Sequence, residues 1–450
     1  LADPDSDREI GLEPSGDAAP KEQKPLKSLA KILGPGLITG ASDDDPSGIA
    51  TYSQAGAQFG FGMLWMAVFQ YPLMAAVQEM CARIGLVTGN GLARTIRNKY
   101  SSKAALPLAS LLLAANTINI GADIGAMAAS LRLLLPQAPF MAACVAFAGL
   151  VIVSVIAVPY KRYVRILKYL AFSLFAYVIT AAIVGGNLGE IAVASLVPHV
   201  EFTHDFIMML VAILGTTISP YLFFWQASQE AEEAVDKGKE KEINSKEKPM
   251  VSKKEVRLMR ADVLSGMAVS QLIMWSIIIT TAGSLHANGM TDIGSAEEAA
   301  SALEPALSSF PFSGVVAKSI FAAGIIGTGL LAIPVLAGSS GYALADTFGW
   351  KQGLNKKFGQ AKAFYMIIAA ATAVGLLINV MGIDPIQALI YAAVINGIVA
   401  VPMLFSLMRI ANDRNILGNR VNGKLSNAIG WLTFVIMAAS VATLFLLWGY

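Results

Sequence analysis

An all-α, multi-pass membrane protein is the fold class that the sequence predicts, on three observations. Hydrophobic residues make up 55% of the 450 and charged residues only 14%, where a soluble domain carries about a quarter charged. The apolar residues gather into stretches long enough to cross about 30 Å of hydrocarbon at about 1.5 Å per residue. Lys and Arg, finally, concentrate in alternate loops, the pattern of loops that stay in the cytoplasm.

Eleven such stretches can be counted, at 29–57, 60–88, 104–134, 137–157, 166–186, 203–230, 259–283, 313–341, 360–381, 385–409 and 427–449. Several exceed one crossing, and tilt or breaks would absorb the excess. With the N-terminus inside, the inward loops carry Arg94, Arg97, Lys99 and Lys103, then Lys161, Arg162 and Arg165, then the basic run from Lys237 to Arg260. Lys351, Lys356 and Lys357 follow, then Arg414, Arg420 and Lys424, whereas the outward connections 187–204, 284–312 and 382–384 hold no Lys or Arg. The expected topology is therefore eleven helices in a prokaryotic inner membrane, N-terminus cytoplasmic and C-terminus outside.

The segments between and before the spans read as solvated. Residues 1–28 are expected to form a disordered cytoplasmic tail, rich in Asp, Glu, Pro and Gly and without the apolar core of a signal peptide. The loop 231–258 mixes Lys and Glu and reads as a linker. Leu285 to Pro311, with Asp292, Glu297, Glu298 and Glu304, reads as a solvated helical cap or as an attractor of cations. Cys81 and Cys144 fall in apolar stretches as small buried side chains. A net charge of +2 argues against a nucleic-acid binder, which needs a basic face. The expected partners are the lipid bilayer and a transported solute, with the chain monomeric.

Two spans are hostile to a continuous helix. Span one runs through Asp43-Asp44-Asp45-Pro46-Ser47-Gly48, where Pro46 removes a donor and Gly48 favours unwinding. Three carboxylates at mid-span cost several kcal/mol if left unpaired, on the order of about 3 each. Span six repeats the arrangement as Gly215-Thr216-Thr217-Ile218-Ser219-Pro220. Spans one and six open two groups of five, which is the pattern of an inverted repeat with discontinuous helices facing each other at mid-membrane. The repeats would cover 29–186 and 203–409, with 427–449 an additional helix. Unwound carbonyls and the C-terminal end of a half-helix beside a carboxylate make a cation site.

These residues resemble the Nramp family of divalent metal transporters, whose first helix carries Asp-Pro-Gly-Asn after Gly-Pro-Gly and before Gln-Ala-Gly. Here Gly34-Pro35-Gly36, Asp45-Pro46-Ser47-Gly48 and Gln54-Ala55-Gly56 stand at matching intervals, and Arg83, Gly85, Val87, Thr88 and Gly89 continue the likeness. The resemblance implies a LeuT-like fold of five plus five helices plus one. It also implies a metal site of the Asp45 carboxylate and the carbonyls of Ser42 and Thr216. Two departures matter: Gly48 stands for the family's metal-binding Asn, and Ser219-Pro220-Tyr221 for its Met-Pro-His. With the hydroxyls of Thr217 and Ser219 the set becomes all-oxygen, which suits a hard cation. Magnesium gives up its waters reluctantly, and losing the Asn and Met side chains would leave room for a bound water. The departures resemble the prokaryotic Nramp-related magnesium transporters.

Proton coupling in the family runs through helix-six histidines and helix-three acids. His199, His204 and His286 all lie in outward loops, the helix-six positions hold Tyr221 and Gln226, and Ala126 stands one turn after Asp123. The expectation is downhill uptake without protons, magnesium first and manganese also open. Asp43, Asp44, Asp123, Tyr221, Gln226 and Asn396 are pathway candidates. Asp123 either lines the pathway or pairs with Arg83, Glu79 is equally open, and Asn396 and Gln387 bind hydrated ion or neighbouring helices. A proton-coupled manganese or iron transporter and an organic-solute transporter on the same fold are the alternatives. No nucleophile-and-base pair points to an enzyme, and no cofactor is implied.

Overall fold

The computed structural model describes residues 35–158, 172–184, 186–236, 251–308 and 311–447. The expected tail, most of the loop 231–258 and the start of span five fall outside these residues. Seventeen α-helices are numbered in chain order below, and among the described residues eight helices are long and apolar enough to cross a membrane. A pair bent by 107°, Pro46–Met63 with Trp65–Thr88, raises that number to nine if taken as one span.

The difference from eleven lies at the two ends of the first repeat, in the break of span one and in span five, of which only part falls within the described residues. Span one is split into α1 (Pro35–Asp43) and α2 (Pro46–Phe59), 9 and 14 residues, and neither half crosses alone. Asp45 caps α2 by accepting the Gly48 amide, and Pro46 takes the first helical position, where its missing N–H costs nothing. Span five is described as α7 (Phe175–Val184), 10 residues. Between them run α3 (Trp65–Thr88), the short α4 (Leu92–Lys99), α5 (Ser102–Leu134) and α6 (Phe140–Ala157).

After a short α8 (Leu188–Leu196), span six is again split, into α9 (His204–Thr217) and α10 (Pro220–Asp236). The break falls at Ile218-Ser219, and proline again opens the second half. Then follow α11 (Lys253–Ser284), α12 (Ala296–Ser301), α13 (Ser313–Phe348), α14 (Lys362–Ile378), α15 (Pro385–Ala411), α16 (Arg414–Leu417) and α17 (Lys424–Leu447). Several outrun their apolar stretches because polar residues continue the helix past the hydrocarbon. In α11 a capping box of Ser252 and Glu255 starts it six residues before the expected 259. The outer cap exists as α12, but Ala299, Ala300 and Leu303 are buried, so its inner face is packed rather than solvated.

Burial sorts the helices into centre and rim. The most apolar window of the α9–α10 unit is 94% buried, whereas those of α6, α14 and α17 are 33%, 33% and 22% buried and present apolar faces outward. Around the centre, small residues bring backbones together. A Cβ on Gly215 of α9 would sit 2.1 Å from the Ala393 carbonyl of α15, and one on Gly85 of α3 would sit 2.1 Å from the Ala227 carbonyl of α10. Gly36 and Gly40 press α1 onto α11 in the same way, 2.6 Å from the Val263 nitrogen and 2.4 Å from the Gly266 carbonyl. Such contacts replace the hydrophobic drive that lipid removes, and they fix the two broken helices against each other.

Candidate functional site

The two breaks meet. The Ser47 hydroxyl of α2 lies 3.4 Å from the Thr216 hydroxyl of α9, and the Tyr221 hydroxyl of α10 donates to the Ser42 carbonyl of α1 at 2.9 Å. Every residue expected here is buried, with Ser42, Asp43, Thr217 and Ser219 showing no exposure and Asp44 the most, at 3%.

Asp45 is at the centre of this junction. Its Oδ1 accepts the Ser47 hydroxyl at 2.6 Å and the Gly48 amide at 2.8 Å, which is what makes it an N-cap. Its Oδ2 accepts the Asn119 amide of α5 at 3.0 Å. That amide also lies 3.4 Å from Asp123 Oδ2, and Asn119 Oδ1 accepts Asn396 of α15 at 3.2 Å. One oxygen each of Asp123 and Asn396 is buried without a hydrogen-bond partner. Asp45, Asn119, Asp123 and Asn396 thus form one polar chain across three helices. Asn119 was absent from the expected set, although Asn116, Asn119 and Asp123 recur at helical spacing on an apolar span and could have been read as one face.

The two carbonyls the resemblance implies are both present at the junction. The Ser42 carbonyl accepts Tyr221, and the Thr216 carbonyl accepts the Ser219 hydroxyl at 2.5 Å, while the same hydroxyl also reaches the Gly215 carbonyl at 2.7 Å. Thr217 points elsewhere: its hydroxyl donates to the Ile213 carbonyl at 2.8 Å and accepts Gln70 of α3. Gln226 accepts Thr39 and donates to Glu230 at 3.0 Å, in a separate network one turn and more along α10.

Two open readings resolve. Arg83 does not pair with Asp123; it binds Glu79 at 3.3 Å and donates to the Arg420 and Val421 carbonyls, because Asp123 faces the junction from the middle of α5. Glu79 in turn accepts Arg260 at 2.8 Å, which gives it an ion-pair role. Gly48 is closely surrounded: a Cβ there would lie 3.3 Å from each of the Asp43 carbonyl, the Thr216 hydroxyl and the Tyr52 ring. Met127, one turn after Asp123 on α5, packs against Gly329 of α13, where a Cβ would lie 2.5 Å from its Sδ.

Among the described residues no three His, Cys, Asp or Glu side chains converge in a metal-holding group. A cation here would rely on one carboxylate with carbonyls, hydroxyls and amide oxygens around it. No Lys, Arg or His among the described residues forms an ion pair with Asp45.

Comparison with known proteins bears on the whole chain. Residues 36–447 match the family model described as Nramp, natural resistance-associated macrophage protein-like. The chain is 25% identical over 441 residues to the divalent metal cation transporter MntH of Ralstonia nicotianae, across 96% of this chain and 93% of the relative. It is 24% identical over 444 residues to the divalent metal cation transporter MntH 1 of Pseudomonas aeruginosa, across 96% and 94%. The crystal structure of an Eremococcus coleocola manganese transporter, in complex with an aromatic bis-isothiourea substituted compound, matches with a TM-score of 0.71 at 17% identity. That alignment covers 95% of this chain and 89% of the other, and it speaks for the fold. With the family match running from α1 to the end of α17 and the two broken helices meeting as described, this chain belongs to the Nramp family and is a multi-pass membrane transporter, not an enzyme.

Proposed function

We propose that the chain carries a divalent metal cation across a bacterial inner membrane by secondary transport, through the junction of α1/α2 with α9/α10. The observation that carries this reading is Asp45. It is a buried carboxylate with no cationic side chain paired to it among the described residues, set where two helix breaks meet. A carboxylate held in that way attracts a cation and offers it backbone oxygen. Asp45 and the carbonyls of Ser42 and Thr216 are the ligands, with Ser219 and Gly48 lining the position. Thr217 joins only by releasing Gln70. In this reading α1/α2 and α9/α10 are the first and sixth of eleven helices in a five-plus-five-plus-one order, with the N-terminus cytoplasmic.

Manganese is the leading reading, supported by the description of the Eremococcus coleocola protein as a manganese transporter and of the two sequence relatives as divalent metal cation transporters. Magnesium is the second reading, favoured by the oxygen-only surroundings of Asp45 itself. Either ion accepts six oxygens in an octahedron. Transport is proposed to proceed without protons, because Tyr221 and Gln226 hold the helix-six positions and Ala126 follows Asp123. A dication entering down the membrane potential gains about 4.6 kcal/mol per 100 mV, twice the value for one charge.

The test is uptake into proteoliposomes loaded with a metal-sensitive dye and a pH dye, with manganese and magnesium offered alone and in competition. Manganese entry at constant internal pH supports the leading reading. Magnesium entry that a tenfold lower manganese concentration does not inhibit supports the second. Internal acidification in step with metal entry sinks the uncoupled part, and entry of neither ion sinks the whole.

A further inference from the structure

The three consecutive carboxylates of the first break do not share one environment. Asp45 turns to Ser47, Gly48 and Asn119, as described. Asp43 ends α1 and Asp44 follows in the bend, and both turn to α11 instead. The Ser270 hydroxyl donates to Asp43 Oδ2 at 2.5 Å and reaches Asp44 Oδ1 at 3.2 Å. Two carboxylates therefore converge on one hydroxyl.

Asp43 Oδ1 is buried and has no hydrogen-bond partner, on a residue with no exposure. No Lys, Arg or His among the described residues makes an ion pair with Asp43 or Asp44. Neighbouring buried carboxyls without a countercharge either hold protons or take a positive ligand. The C-terminal end of α1 adds its partial negative charge at the same place.

The surroundings hold the pair in position. Asp262, Gly266 and Ser270 recur every fourth residue along α11, on one face. Asp262 accepts the Gly36 amide at 2.7 Å, near the start of α1; Gly266 meets Gly40; Ser270 meets the acids at its end. One stripe of α11 thus grips α1 from start to finish. A group of donors fixed by packed helices in this way is prepared for a ligand before it arrives.

We propose that Asp43, Asp44 and Ser270 form a second cation position, adjoining Asp45 but distinct from it, that takes a divalent cation. Two carboxylates neutralise the dication, the Ser270 hydroxyl gives a neutral oxygen, and water completes the shell. The proposal rests on the transport reading above, since the ion it takes is of the transported class.

Equilibrium binding of Mn²⁺ to the full-length chain in lipid nanodiscs, read from the electron paramagnetic resonance of free Mn²⁺, tests it. The parent is expected to bind two ions, and the Asp43→Asn/Asp44→Asn variant one. Ser270→Ala, which keeps both carboxylates and spares the fold, is expected to weaken one of the two sites about tenfold. A parent that binds a single ion, lost in Asp45→Asn and unaltered in Ser270→Ala, overturns the second position and leaves the transport reading standing. A parent that binds none overturns both. Should the double variant fail to fold, Ser270→Ala decides: two sites of unchanged affinity count against the proposal.

Discussion

Asn119 on α5 donates its side-chain amide to Oδ2 of Asp45 at 3.0 Å, joining the middle of an unbroken helix to the start of a broken one. The nitrogen end of that amide faces the carboxylate, while its Oδ1 accepts from Asn396.

Removing that amide should therefore cost transport more than stability. A hydrogen bond to a charged group is worth about 1.5–3 kcal/mol, so Asn119→Ala is expected to weaken apparent metal affinity by roughly ten- to a hundredfold. Initial uptake rates over a metal titration give the number. An unchanged affinity would place Asn119 among structural contacts.

Tyr221 is predicted to oppose the ion. Its hydroxyl holds the Ser42 carbonyl at 2.9 Å, and that carbonyl is a proposed ligand. Tyr221→Phe removes the competitor while leaving the ring, so apparent affinity should rise about fivefold, equivalent to about 1 kcal/mol. A fall in affinity would show that the hydroxyl helps to hold the ion.

Gly40 is expected to tolerate nothing larger. A Cβ there would come within 2.4 Å of the Gly266 carbonyl, which is backbone and cannot turn aside. Gly40→Ala should destabilise the protein by about 1–3 kcal/mol, the usual cost of overpacking. A lowered thermal midpoint in detergent would show it. If the midpoint is unchanged, α1 is free to stand off from α11.

Much of this arrangement was legible in the sequence where covalent chemistry forces it. Pro46 and Pro220 each open a new helix, and the structure breaks α1/α2 and α9/α10 just before them, whereas Gly48, expected to favour unwinding, lies within the first turn of α2 and Pro72, Pro107, Pro334 and Pro402 lie inside continuous helices. Helix ends were less legible, because the capping of α11 by Ser252 and Glu255 leaves no mark on hydropathy. Contacts between distant helices were not legible at all. Nothing in local pattern ties Ser270 to Asp43. For Arg83 a local signal existed and pointed correctly, since Glu79 stands one helical turn before it; the proposed pairing with Asp123 overlooked that nearer acid.

Asp45 does two jobs in this account, capping α2 and binding the ion, and one substitution separates them. Asparagine caps a helix about as well as aspartate, so Asp45→Asn keeps the fold while removing the charge. Asp384, which caps α15 by accepting the Ile386 amide at 2.9 Å, supplies the control. The deciding measurement is manganese and magnesium uptake into proteoliposomes holding the parent, Asp45→Asn and Asp384→Asn. The account predicts loss of at least nine-tenths of the flux in Asp45→Asn alone, with all three proteins melting alike. Flux in Asp45→Asn equal to that of the parent would contradict it, and would leave Asp45 as a helix cap and nothing more.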